Sequence, residues 1–132
     1  MKKLTVLGIL LLSACSSQWP AGSYNGLPKD TDSDVLTTAI GDCAVNLVPD
    51  HAMIKLVLPV PPDALSMVLP ERLSHDGISV SEIGLPVSYI VAADGPDAFI
   101  RVSAPRGTCA QYFSRDTNGL LQNAGPIMVV AQ

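Results

Sequence analysis

The sequence predicts an α+β domain in which two helices pack on a small, mostly antiparallel sheet. Three observations carry that prediction. Apolar residues recur at three- and four-residue steps in two separate stretches. Short β-branched and apolar runs, closed by Gly, Pro and Asp/Asn turns, fill the second half. The order is helix, strand, helix, short strand and then a meander of about four strands, which places both helices on one face of the sheet.

The first helix is expected from Thr31-Asp32-Ser33-Asp34, where several side chains suit the N-cap and would accept its orphan amide protons. Leu36, Ile40, Cys43 and Leu47, with Val35, Ala39 and Val48 beside them, form one apolar face, and Pro49 ends the helix. Met53 to Leu58 reads as a strand closed by Pro59. The Pro59-Val60-Pro61-Pro62 cluster makes a rigid turn, with Pro61 or Pro62 able to open the second helix. In that helix Leu65, Val68, Leu69 and Leu73 share a face, and His75-Asp76-Gly77 is a stop signal. Pro70 falls inside it and predicts a kink or a split, at a cost of about 3 kcal/mol if truly interior.

From Ile78 the texture changes. Ile78 and Val80 alternate with serines before Gly84 and Pro86 interrupt the run. Pro86 to Ala93 and Ala98 to Ala104 flank Asp94-Gly95-Pro96-Asp97, a hairpin signal. Pro105-Arg106-Gly107 turns into a strand from Thr108 to Arg115, Asp116 to Gly119 is a third turn, and Ile127 to Ala131 is a last strand.

The amino terminus has a different character. Met1-Lys2-Lys3 is basic, Leu4 to Leu12 is nearly all apolar, and small residues lead to Cys15, the layout of a secretory signal too short to span a bilayer. Leu12-Ser13-Ala14-Cys15 resembles the lipobox of bacterial lipoproteins, which implies diacylation of the Cys15 thiol and cleavage before it. The competing reading is a plain secretory signal. Two or more acyl chains anchor a protein stably where one does so only marginally. Ser16 and Ser17 stand where an aspartate generally retains lipoproteins in the inner membrane, which favours the periplasmic face of the outer membrane. The expected organisation is a signal peptide over 1–14, a lipidated terminus and flexible linker over 15–31, and one periplasmic domain over 32–132. Trp19 and Tyr24 are candidate partner-binding residues in that linker, since exposed aromatics make large contacts at low entropic cost; an idle tether is the alternative.

Removing residues 1–14 leaves 132 − 14 = 118 residues with 6 basic and 12 acidic side chains, a formal charge of −6. The basic residues are scattered, so no nucleic-acid partner is expected, because phosphate binding needs clustered Lys and Arg. Cys43 and Cys109 then form an even pair in an oxidising compartment. A disulfide between them is the leading expectation, and two buried thiols too far apart to bridge is the alternative.

Catalytic inventory is thin. His51 and His75 each sit beside an acid, Asp50 and Asp76, but no nucleophile elbow, paired metal-ligand spacing or Gly-rich phosphate loop is present. The expectation is a non-enzymatic chain with no cofactor and no metal. What remains is a tethered, acidic module with sheet edges.

The layout resembles the TrbH family of conjugal transfer lipoproteins of type IV secretion systems. The resemblance rests on the lipobox ending at Cys15, the Asp-rich helix start and apolar helix from Asp34 to Val48, the strand running into a proline-rich turn, and the stretch from Pro62-Asp63-Ala64-Leu65 through Leu73-Ser74-His75-Asp76-Gly77 to Val80. It implies a structural part of the mating-pair apparatus, comparable in role to the small lipoprotein that anchors an outer-membrane core ring. Its partners would be other secretion-channel proteins and further copies of itself in a ring. Related lipoproteins carry a domain similar to the ring-forming N-terminal domain of secretins, also two helices on a small mixed sheet. The other reading is a periplasmic binding or inhibitor lipoprotein unrelated to secretion.

Overall fold

The computed structural model describes residues 23–26, 32–60 and 62–131. Cys15 and Trp19 lie outside them. Two helices, α1 (Ser33–Leu47) and α2 (Ala64–His75), cover one face of a mixed sheet built from β1 (Tyr24–Asn25), β2 (Met53–Leu56), β3 (Ser79–Val80), β4 (Leu85–Asp94), β5 (Asp97–Ala104), β6 (Gly107–Arg115), β7 (Leu121–Asn123) and β8 (Met128–Ala131). This is the expected α+β arrangement.

The sheet runs β3-β2-β4-β5-β6-β7. β2 pairs in parallel with both β3 and β4, whereas β4, β5 and β6 form an antiparallel meander. Two lanes are shared end to end. β2 lies along Leu85 to Val87 of β4 and β1 along Ile90 and Val91, both parallel. On the far side, β8 pairs with Gly107 to Ala110 of β6 and β7 with Phe113 to Arg115.

Period-two alternation decides which side chains meet the helices. Val87, Tyr89 and Val91 of β4, Ala98, Ile100 and Val102 of β5, and Cys109 and Phe113 of β6 are buried beneath α1 and α2. From above come Leu36, Ile40, Cys43 and Leu47 of α1 and Leu65, Leu69 and Leu73 of α2. At the centre, Cys43 and Cys109 are joined by a disulfide with Cα atoms 5.5 Å apart, so the pair expected from the sequence is a bond between helix and sheet.

Pro70 neither splits nor ends α2, which runs unbroken from Ala64 to His75. The reason is magnitude. Leu65, Leu69 and Leu73 on the same helix are fully buried, and at about 1.5–3 kcal/mol each their burial outweighs the ~3 kcal/mol cost of an interior proline. Asp63 caps the helix by accepting the Ser66 amide at 2.9 Å, and Gly77, at φ 87°, closes it while Ile78 N–H bonds Leu73 O at 2.8 Å.

The cap expected for α1 is not made. Asp32 stands at the N-cap position without a side-chain bond to its helix. Its carboxylate instead accepts from Arg115 Nη1 at 3.1 Å and Nη2 at 3.0 Å. That two-pronged pair, which also raises the guanidinium pKa through the hydrogen bond to Asp32, ties the start of α1 to the end of β6.

Candidate attachment site

Within the stretch read as a linker, residues 23–26 form part of the sheet. Tyr24 and Asn25 pair with Ile90 and Val91, and Gly26 N–H bonds Val91 O at 2.7 Å. Ser23 secures the junction between β2 and β1. Its hydroxyl donates to Val57 O and accepts the Tyr89 amide at 2.9 Å, filling the gap between the two strands in their shared lane beside β4.

Next to this junction is a polar cluster. Asp63 Oδ1 accepts the Tyr89 phenol at 2.9 Å as well as the Ser66 amide, and the Asn25 side chain faces the same carboxylate. Burial pushes the Asp63 pKa up, but these donors together outweigh it and hold the carboxyl below its ordinary 3.8. For Tyr89 the effects add: burial, the hydrogen bond to Asp63 and its negative charge all raise the phenol pKa. The cluster holds β1, β4 and the start of α2 together.

The sheet edges differ. β3 is two residues long, and past its end Glu82 lies 3.9 Å from Lys55 of β2. β8 is four residues, Met128-Val129-Val130-Ala131, all exposed, and among the described residues it pairs only with β6. It carries no charge, no proline and no bulge, the devices that normally guard an edge. Val130 is 63% exposed. On its helix side, an open cleft of about 360 Å³ separates Val129 and Ala131 from Asn46 to Pro49.

The face opposite the helices carries Ile90, Phe99, Arg101 and Tyr112, with the Phe99 and Tyr112 rings 5.7 Å apart at 41°. Cross-strand register brings those two together, Phe99 opposite Tyr112.

Two larger clefts flank α1. One, of about 440 Å³, lies against β6 and β7 between Asp34, Asp42 and the amides Gln111, Gln122 and Asn123. The other, of about 420 Å³, lies between the helices among Thr37, Glu71, Arg72 and His75, and there the buried Thr37 hydroxyl has no partner. Among the described residues, neither histidine hydrogen-bonds a hydroxyl or thiol, and no three His, Cys, Asp or Glu side chains cluster as metal ligands. His75 is highly exposed, with Asp76 3.6 Å away. His51 sits in the turn before β2 at φ 57°. No described helix is long and apolar enough to cross a membrane.

Of the residues singled out from sequence, Cys43 and Cys109 are brought together, and Tyr24 contributes its backbone to β1. Sequence reasoning missed the β8 edge as a surface, Ser23, and the Asp63–Tyr89 pair. The signal for the edge was present in a run of four uncharged residues that no turn or charge interrupts. No protein-family model, curated protein or solved structure matches this chain.

Proposed function

We propose that this chain is a lipid-anchored attachment module of the cell envelope, fixed to the outer membrane through Cys15, which joins a multisubunit assembly by adding its sheet edge to a neighbouring strand. The observation that supports this most directly is β8: an uncharged, unguarded edge whose four residues are all exposed. Strand addition supplies main-chain hydrogen bonds, and alternate side chains set the fit. The mature chain carries a formal charge of −6, whereas the four residues of β8 carry none. The resemblance to conjugal transfer lipoproteins supplies the setting, the mating-pair apparatus of a type IV secretion system, where a ring of such modules is held at one membrane face.

The test is to extract the acylated protein in mild detergent from the envelope of cells that make it, and to size it. A large assembly is expected, and Val130→Lys should disperse it, with the fold of the variant unchanged within about 0.5 kcal/mol, as for a surface substitution. A wild-type monomer that instead binds a soluble periplasmic protein would replace this reading with the binding or inhibitor alternative.

A further inference from the structure

Three exposed apolar side chains lie on the stretch that leaves β2 and opens α2, beside the residues through which the amino-terminal segment joins the fold. Ser23 bonds Val57 O at the end of β2, and Asn25 faces Asp63 at the start of α2. The chain between Val57 and Asp63 is therefore held at both its ends against β1, and its middle projects. Val60, in that turn, is 96% exposed, Met67, in the first turn of α2, is 79% exposed, and Leu58, at the start of the turn, is partly bare. Residues this apolar are seldom left so uncovered in clusters unless something covers them. Pro59, before Val60, and Pro62, after it, restrict the backbone, so the turn presents its side chains with little entropy to lose on contact.

The length of chain leading to Ser23 identifies the occupant. From Cys15 to Ser23 is 23 − 15 = 8 residue steps, which span at most roughly 28 Å when fully extended. A domain of about 100 residues has a radius of gyration of about 13 Å, and so is about 34 Å across. A tether shorter than the body it holds keeps Ser23 within about 28 Å of the bilayer and excludes orientations that turn that side of the domain fully away.

We propose that the Leu58 to Val60 turn and Met67 form a membrane-contact surface that enters the lipid interface and fixes the orientation of the domain on its anchor. In this orientation the opposite edge, β8, points away from the turn and stays open to partners. The inference rests on acylation of Cys15, and its test separates the two. The mature chain holds Met53, Met67 and Met128, so methyl labelling of the acylated protein gives one probe on the surface and one, Met128, on the distal edge; a Val60→Met variant adds a probe at the tip of the turn. The protein is placed in nanodiscs containing a lipid with a nitroxide headgroup. The Met67 signal and the extra signal of the Val60→Met variant are expected to be lost to paramagnetic broadening, while the Met128 signal persists. If the protein remains on the discs but the Met67 signal is as sharp as that of Met128, the membrane-contact surface is overturned and the anchor stands. If palmitate does not label the protein and it leaves the discs, both fall. Equal loss of all three signals, from a domain tumbling against the bilayer, also overturns the fixed orientation.

Discussion

Replacing Arg115 by Met removes a guanidinium while keeping most of its apolar stem, and the structure sets the size of the effect. Both Asp32 oxygens accept from Arg115, at 3.1 and 3.0 Å, and the carboxylate side chain is 1% exposed. Asp32 bonds no amide of its own helix. Two outcomes compete. An exposed ion pair is worth under about 1 kcal/mol, whereas removing one partner of a buried pair leaves an uncompensated charge at a cost of roughly 3–5 kcal/mol. Burial of Asp32 decides for the second, and the 20% exposure of Arg115 places the value near the lower bound. We expect a loss of about 3 kcal/mol, which for a domain of this size lowers Tm by roughly 12–20 °C. Urea and thermal unfolding of the unacylated Cys15→Ser protein measure it, with the disulfide intact in both chains. Adding Asp32→Leu to Arg115→Met should recover most of the loss, because an apolar pair carries no stranded charge. A change below about 1 kcal/mol in the single variant would mean that water screens the pair as it does an exposed one.

Four further outcomes are expected. Cys43→Ala with Cys109→Ala opens a loop with a sequence separation of 66, and in the chain-entropy model the loss is about 4 kcal/mol; urea unfolding that shows less than about 1 kcal/mol would remove the bond from the account of stability. Because the folded Tyr89 pKa lies above its ordinary 10.0, its contribution is full below that pH and is lost as pH climbs past it, where the unfolded chain sheds the proton and the folded one keeps it. Tyr89→Phe should flatten the alkaline limb of the stability curve; an unchanged limb counts against the buried phenol. Asp63 has the opposite sign: its lowered pKa stabilises the fold above 3.8 and that contribution fades as pH falls through the folded value. Gly107→Ala would place a Cβ 2.5 Å from Val130 O, so β8 should detach. Hydrogen exchange would then show residues 128–131 losing protection while β4 to β6 keep theirs, and retained protection at 128–131 would mean the edge yields without separating.

The helices and the central meander were legible because their signals are local. Leu36, Ile40, Cys43 and Leu47 repeat at helical spacing, and Asp94-Gly95-Pro96-Asp97 is a two-residue loop with Gly95 at φ 61°, pairing Asp94 with Asp97. β1 and β7 were not legible. Tyr24–Asn25 and Leu121–Asn123 are too short and too polar for any period, and they are strands only because β2 and β8 each leave part of a neighbouring lane empty. Asp32 shows the same limit at a side chain: its local role as a cap lost to a partner 83 residues away. Pro70 misled in the other direction, since its backbone cost is local whereas the leucine burial that offsets it depends on the sheet. Of the candidate site, the paired cysteines could be expected from their even count and compartment, but the contrast between a short β3 edge and an open β8 edge exists only once the strand order is known.

Attachment through an acylated amino terminus is read out by mass spectrometry of the protein isolated from its native envelope. The expected species is a chain beginning at Cys15 that carries the mass of a diacylglyceryl group, with a further acyl chain on the amine. An unmodified Cys15 thiol on protein recovered from the periplasmic fluid would contradict it.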